Sequence, residues 1–307
     1  MPEEQSVQGT RWTIHAVELL KGLGWSPRGD INVDIPCTIH PNRRNPHGID
    51  AFLTYSDPYR KKEIGIIIET KNYAWRSVTR AFIQETVDNL IETIECAPLS
   101  DEFQRRLNFS NAAVNTGLIL IWSHDDFERD TFQRYLKELE IPKKRKLSTI
   151  YVLNNYDILK LYSLYHTIKQ ICSSLREPDK FDIYYPSYSN SDSVNGKNFV
   201  NLEYFTSKFI FGKMIESINY KNKSRDINTI TTVFYFDQLN LESLNYLYLS
   251  LKKFQLADDK IRIYHYNDPS HYRGPIREFV RICEEEHGKK VEFLPMLQLD
   301  DVPWRVV

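Results

Sequence analysis

"EIGIIIETKNYAW", residues 63–75, sets Glu69 and Lys71 two positions apart at the end of a run of isoleucines. Ile66, Ile67 and Ile68 are apolar on both faces, which marks a central strand covered from both sides. Ending such a strand in buried, unpaired charge costs several kcal/mol, so the pair demands partners. Side chains at i and i+2 of a strand share a face, and Glu69 and Lys71 therefore point into one space. The partner that fits is Asp50, at the head of the preceding run "HGIDAFLTY", where a hairpin brings it beside "IIIETK". Asp50, Glu69 and the carbonyl of Thr70 form an oxygen donor set for a hard divalent cation, Mg2+ or Mn2+ in its place. An ammonium beside them, that of Lys71, would orient or help deprotonate an attacking water and stabilise charge on a phosphoryl oxygen. The alternative, an exposed strand end with a surface ion pair worth about 0–1 kcal/mol, conflicts with the isoleucine run.

Upstream, Trp12, Ala16, Leu19, Leu20 and Leu23 form a helical stripe over about 9–23, stopped by Gly24. "INVDIPCTI", "DAFLTY" and "EIGIIIETK" read as three strands. Downstream, Ile83, Val87, Leu90, Ile91 and Ile94 return to helical spacing, followed by "GLILIWS" as a strand, "DTFQRYLKELE" as a helix, "STIYVLN" as a strand and "DILKLYSLYHTIKQIC" as a helix. These elements make a first α/β domain over residues 1–172. Residues 173–200, rich in Ser, Asn, Asp and Pro, read as a linker. Beyond it, "NTITTVFYF", "LESLNYLYLSLKKF", "KIRIYHYN", "PIREFVRICEEEHG" and "KVEFL" alternate strand and helix, the pattern of a parallel α/β layer. Residues 201–307 are thus expected to form a second, smaller α/β domain for assembly or regulation.

"GID", 18 residues, then "ETK", after a helix ending "LLKGLGW", resembles the PD-(D/E)XK superfamily of restriction-endonuclease-like nucleases, in its Mrr-like flavour. The resemblance covers about residues 9–155. It implies a mixed sheet flanked by helices, with Asp50 and Glu69 as ligands to Mg2+, Lys71 as the catalytic lysine and Gln84 beside the site. It further implies a metal-dependent DNA endonuclease of bacterial restriction or anti-phage defence, acting as a homo-oligomer or with a separate partner protein. One position departs from the pattern: Thr13 follows Trp12 where a glutamate is expected. Glu18 is no substitute, since Arg11, His15 and Gly22 place it on the polar face of the helix. A rival reading is therefore a nuclease-fold binding subunit without turnover.

Composition narrows the classes further. A chain of 307 residues, 41% hydrophobic, supports two cores. Its net charge of −1 confines contact with an anionic polymer to local patches. Candidates are Arg43, Arg44, Arg60, Lys61 and Lys62 around the Asp50 strand, with Tyr73, Trp75 and Arg76 after the motif, a mixture that suits phosphates and unstacked bases. "KKRK" at 143–146 reads as a polar loop, His47 as a loop histidine that contacts phosphate or is simply exposed rather than a base, and His124, Asp125 and Asp126 as the cap of a helix at about 128–139. Cys37, Cys96, Cys172 and Cys283 lie far apart, with no CxxC or Cys/His cluster, so neither a disulfide framework nor a zinc knuckle is expected. The N-terminus lacks the marks of a signal peptide and no stretch approaches ~18 apolar residues, pointing to a soluble, cytoplasmic protein without membrane contact. With no G-x-x-x-x-G-K-[ST] loop and only 11 glycines, nucleotide hydrolysis is not expected. The Tyr and Leu stripes of "LNYLYLSLKKF" read as core, or as an oligomer face.

Overall fold

Ile66, Ile67 and Ile68 lose all solvent exposure, and the strand they belong to is the middle strand of its sheet. The computed structural model describes residues 2–40, 43–59, 62–109, 114–141, 148–185, 199–219 and 225–303, without the side chains of 2–6, 217–219 and 225–227. Two compact units emerge, residues 1–159 with 301–307, and residues 160–300.

The first unit runs α1 (Pro2–Gly22), β1 (Ser26–Pro27), β2 (Val33–Ile35), β3 (His47–Ile49), β4 (Ala51–Ser56), β5 (Glu63–Tyr73), α2 (Arg80–Cys96), α3 (Asp101–Leu107), β6 (Thr116–Ser123), α4 (Arg129–Lys137) and β7 (Thr149–Leu153). Five strands form a mixed sheet in the order β1-β4-β5-β6-β7. Its first two pairings are antiparallel and its last two parallel. Alternation along β5 splits the isoleucines between two cores. Ile67 joins Ile119, Ile121 and the apolar stripe of α2, Ile83, Val87, Leu90, Ile91 and Ile94. On the opposite face the indole N–H of Trp12 in α1 donates to the Leu120 carbonyl at 3.3 Å, and its ring meets Trp122 at 5.9 Å. The sheet is thus sandwiched between helices, as expected. Two details differ from expectation: α1 starts at Pro2 rather than near residue 9, and "INVDIPCTI" yields only the short β2, paired with β3 in a separate two-stranded ribbon.

In the second unit the sequence continues as α5 (Asn155–Ser174), which begins in the first, then β8 (Lys180–Ile183), β9 (Phe209–Asn219), β10 (Arg225–Tyr235), α6 (Leu241–Lys253), β11 (Lys260–His265), α7 (Arg273–His287) and β12 (Lys290–Pro295). Its sheet runs β12-β11-β10-β9-β8. Two expectations are corrected here. The stretch 173–200 is not linker throughout, because β8 pairs with β9 as a sheet edge; residues 186–198 lie outside those described. Nor is the layer wholly parallel: β10, β11 and β12 are parallel, while β9 and β8 add on antiparallel. The order and direction of the five strands therefore repeat those of the first unit.

Close packing at the centre of the first unit depends on a missing side chain. A Cβ on Gly65 would lie 2.5 Å from the Phe52 ring and 3.1 Å from Phe109, and Phe52 is held edge-on between Phe103 and Phe109 at 5.0 and 5.1 Å. Gly65→Ala is expected to lower unfolding stability by roughly 1–3 kcal/mol through overpacking, read by urea denaturation. An unchanged midpoint would mean that the phenylalanine cluster yields freely.

Candidate active site

The register of β4 against β5, with Ala51 opposite Ile68, carries Asp50 to the outgoing end of β5. There Asp50 Oδ2 accepts a hydrogen bond from the Thr70 N–H at 2.7 Å and another from the Thr70 hydroxyl at 3.0 Å. The Thr13 hydroxyl stands 2.7 Å from the Thr70 hydroxyl and 3.2 Å from the Gly9 carbonyl of its own helix. The first-helix position where the resemblance called for glutamate thus does reach the site, as the outermost link of a Thr13–Thr70–Asp50 chain. Glu18 stays on the surface, ion-paired with Lys21 at 2.7 Å.

Glu69 and Lys71 lie on one face of β5 with carboxylate and ammonium in direct contact. Burial, then the charge of Asp50, pushes the Glu69 carboxyl up to about 7, against the pull of Lys71. For Lys71 burial is the largest influence and opposes the charge, yet Glu69 and Asp50 together outweigh it and hold the ammonium above the usual lysine range. Two like charges crowded beside one cation make a group short of positive charge, which is the electrostatic condition for taking up a divalent cation. The site opens on a polar cleft of about 620 Å3 whose lining includes Thr13, Asp50, Thr70, Lys71, Tyr73, Arg76 and His124.

Other expected contributors go elsewhere. Gln84 is not brought to this group: its amide nitrogen donates to the Glu140 carbonyl at 2.9 Å and to Asp88, and its oxygen accepts from the Glu140 N–H at 2.8 Å. The half-buried Trp75 packs its ring against Phe127 and Tyr135 at 5.2 and 6.5 Å. Arg43 is engaged by Glu92 at 2.8 Å and Asn89 at 3.0 Å; Arg60, Lys61 and "KKRK" lie outside the described residues. Asp125 does not cap α4, whose cap residue is Glu128; it accepts from the Trp75 N–H at 2.5 Å and the Ser123 hydroxyl at 2.9 Å, fastening the chain after β5. His124, by contrast, reaches the cleft and meets Asn72 at 3.0 Å. His47 is no exposed loop residue, being fully buried at the head of β3. It belongs to a group that residue spacing had argued against, Cys37, His40, His47 and Cys96, so the expectation of no Cys/His cluster does not hold. The short spacing of Cys37 and His40 was its only local signal.

A mixed five-stranded sheet between helices, with an aspartate at the head of one strand and Glu-x-Lys at the end of the next, defines the PD-(D/E)XK class of restriction-endonuclease-like folds. Residues 1–157 match the family described as the GAPS4 protein PD-(D/E)XK nuclease domain. The chain belongs to that family, and its first unit is a nuclease-type domain. No curated protein matches the sequence. Among the described residues no helix is long and apolar enough to cross a membrane.

The raised pKa of Glu69 has a measurable sign. Its proton leaves near 4.5 in the unfolded chain and near 7 in the folded one, so the metal-free fold loses stability as pH rises between those values. Glu69→Gln in EDTA is therefore expected to stabilise the protein by roughly 1–3 kcal/mol at pH 8 and by far less at pH 4.5, followed by chemical unfolding. Equal effects at both pH values would remove the electrostatic origin.

Proposed function

We propose that the chain is a divalent-metal-dependent endodeoxyribonuclease, using Mg2+ with Mn2+ as a substitute, in bacterial restriction or anti-phage defence. The observation that carries this reading is the convergence of Asp50, Glu69 and Lys71 at one strand end beside a polar cleft. The donor set fits a hard cation: two carboxylates and the Thr70 carbonyl would hold it, and Glu69 and Asp50 repel one another without it. When bound, such a cation supplies Lewis-acid stabilisation of a phosphodiester and lowers the pKa of water.

The remaining roles fall to the chain. Thr70, with Thr13 behind it, holds the Asp50 carboxylate by two hydrogen bonds, fixing its orientation. Lys71 stays protonated, so it acts by donating to a water or a phosphoryl oxygen and stabilising charge there, rather than by accepting a proton. Arg76 and His124 supply donors at the cleft for the phosphate backbone, and Tyr73, exposed beside them, a surface for a base. Asp125 keeps this rim in place through the Trp75 backbone. The second unit, residues 160–300, is assigned to self-association or partner binding, since cutting both strands of a duplex calls for two sites.

A second reading, a nuclease fold that binds DNA without cutting it, is favoured by Thr13, whose hydroxyl stands where a further carboxylate is expected. Plasmid nicking with Mg2+, with and without EDTA, separates the two. Cleavage abolished by Asp50→Ala, with binding retained, is the expected result; cleavage by that variant in EDTA would remove the site assignment. Lys71→Arg is expected to lower single-turnover cleavage by about 100-fold or more with affinity nearly unchanged, because a planar fork cannot take the place of a point charge. Near-normal cleavage would reduce Lys71 to a counter-ion.

A further inference from the structure

Cys37, His40, His47 and Cys96 come from three places in the chain: the segment after β2, the first residue of β3 and the last residue of α2. Their ligand atoms all lie within 4.8 Å of one another. The two sulfurs are 3.8 Å apart, and each is 3.4 Å from His40 Nδ1. Zn–S bonds of about 2.3 Å and Zn–N bonds of about 2.0–2.1 Å at tetrahedral angles require S···S near 3.8 Å and S···N near 3.6 Å. The observed triangle matches these separations, and a sulfur pair at 3.8 Å is not a disulfide.

The imidazoles are oriented as ligands. His40 Nε2 faces the Glu95 carboxylate at 3.0 Å, so it carries the proton and leaves the Nδ1 lone pair facing the sulfurs. His47 Nδ1 lies 3.3 Å from the Thr93 hydroxyl, which donates its own proton to the Asn89 carbonyl at 2.8 Å. Nδ1 is therefore the protonated nitrogen of His47, and Nε2 has a free lone pair. That Nε2 atom is buried and has no hydrogen-bond partner among the described residues, in a side chain with no solvent exposure. A bare acceptor in the interior is costly, and a metal bond is what would satisfy it.

We propose that Cys37, His40, His47 and Cys96 bind one Zn2+ in a closed, structural site that anchors the strand leading into Asp50. Two thiolates and two neutral imidazoles select zinc over Mg2+ or Ca2+, which take oxygen donors. Two thiolate charges neutralise the ion, as a site with Cys96 and His47 fully buried requires. With four protein ligands no position is left open for substrate, so the role is structural. Binding releases the two thiol protons. The ion would staple β3 and the chain after β2 to the end of α2. Only Gly48 and Ile49 separate His47 from Asp50.

The binding claim does not rest on the nuclease reading, and the test keeps the two apart. The full chain, purified without chelator and analysed for metal, is expected to carry about one zinc per molecule. Asp50→Ala should retain it, whereas Cys37→Ser, Cys96→Ser and His47→Gln should lose it and melt several degrees lower. Because these variants could fail to fold, the wild-type chain loaded with Co2+ gives an independent readout: thiolate-to-cobalt charge transfer and the intense d–d absorption of a tetrahedral S2N2 site. Wild-type protein without zinc and without that spectrum would overturn the proposal. So would zinc that persists in the Cys37→Ser/Cys96→Ser double variant, or that leaves with Asp50→Ala.

Discussion

The antiparallel register of β4 on β5 is the constraint on which the site depends. Ala51 opposite Ile68 puts Asp50 level with Glu69 and lets the Thr70 amide reach its carboxylate. A slip by one residue would turn every side chain of β5 to the other face, taking Ile67 out of the α2 core and Glu69 and Lys71 away from Asp50. The register is in turn held by packing. Ile66, Ile67 and Ile68 have no exposure, and Phe52 fills the space over Gly65 within its aromatic cluster. Hydrophobic burial, non-directional in itself, here aligns the acidic groups.

The charged pair was legible because it breaks a rule: strands buried on both faces do not end in charge without a reason. Asp50 followed from hairpin geometry, and the helices from plain 3.6-residue periodicity. What escaped the sequence was set by distant partners. The amide of Gln84 bonds the backbone of Glu140, 56 residues on, and helical phase alone cannot say which polar neighbour an exposed glutamine will find. Trp75 looked like a base platform, and in the fold its ring packs against Phe127 and Tyr135. The Cys/His group was invisible for the same reason: Cys96 ends a helix far along the chain from the Cys37–His40 pair and joins it only once α2 packs on the sheet. Strand β9 was overlooked because its polar positions, such as Lys213 and Glu216, break up the apolar run of an antiparallel strand, although it pairs with β10 along eleven positions.

The electrostatics of the site explain why Thr13 is compatible with it. A further carboxylate there would add to the repulsion that already lifts Glu69 to about 7. A hydroxyl relays orientation to Asp50 at no cost in charge. The site is consequently arranged around two acids and one lysine, with Asp50 Oδ2 held by Thr70.

The repeated strand order separates fold from chemistry within a single chain. At the corresponding edge of the second sheet the residue ahead of β9 is Lys208, bound to Asp237 at 2.8 Å, a balanced pair in place of crowded acids. Glycine recurs as a packing device, Gly212 beneath Phe181 echoing Gly65 beneath Phe52. What the two halves share is thereby identified as scaffold. A chain of this kind contains its own control: traits common to both sheets are needed for the architecture to stand, and the excess negative charge at Asp50 and Glu69 is not among them.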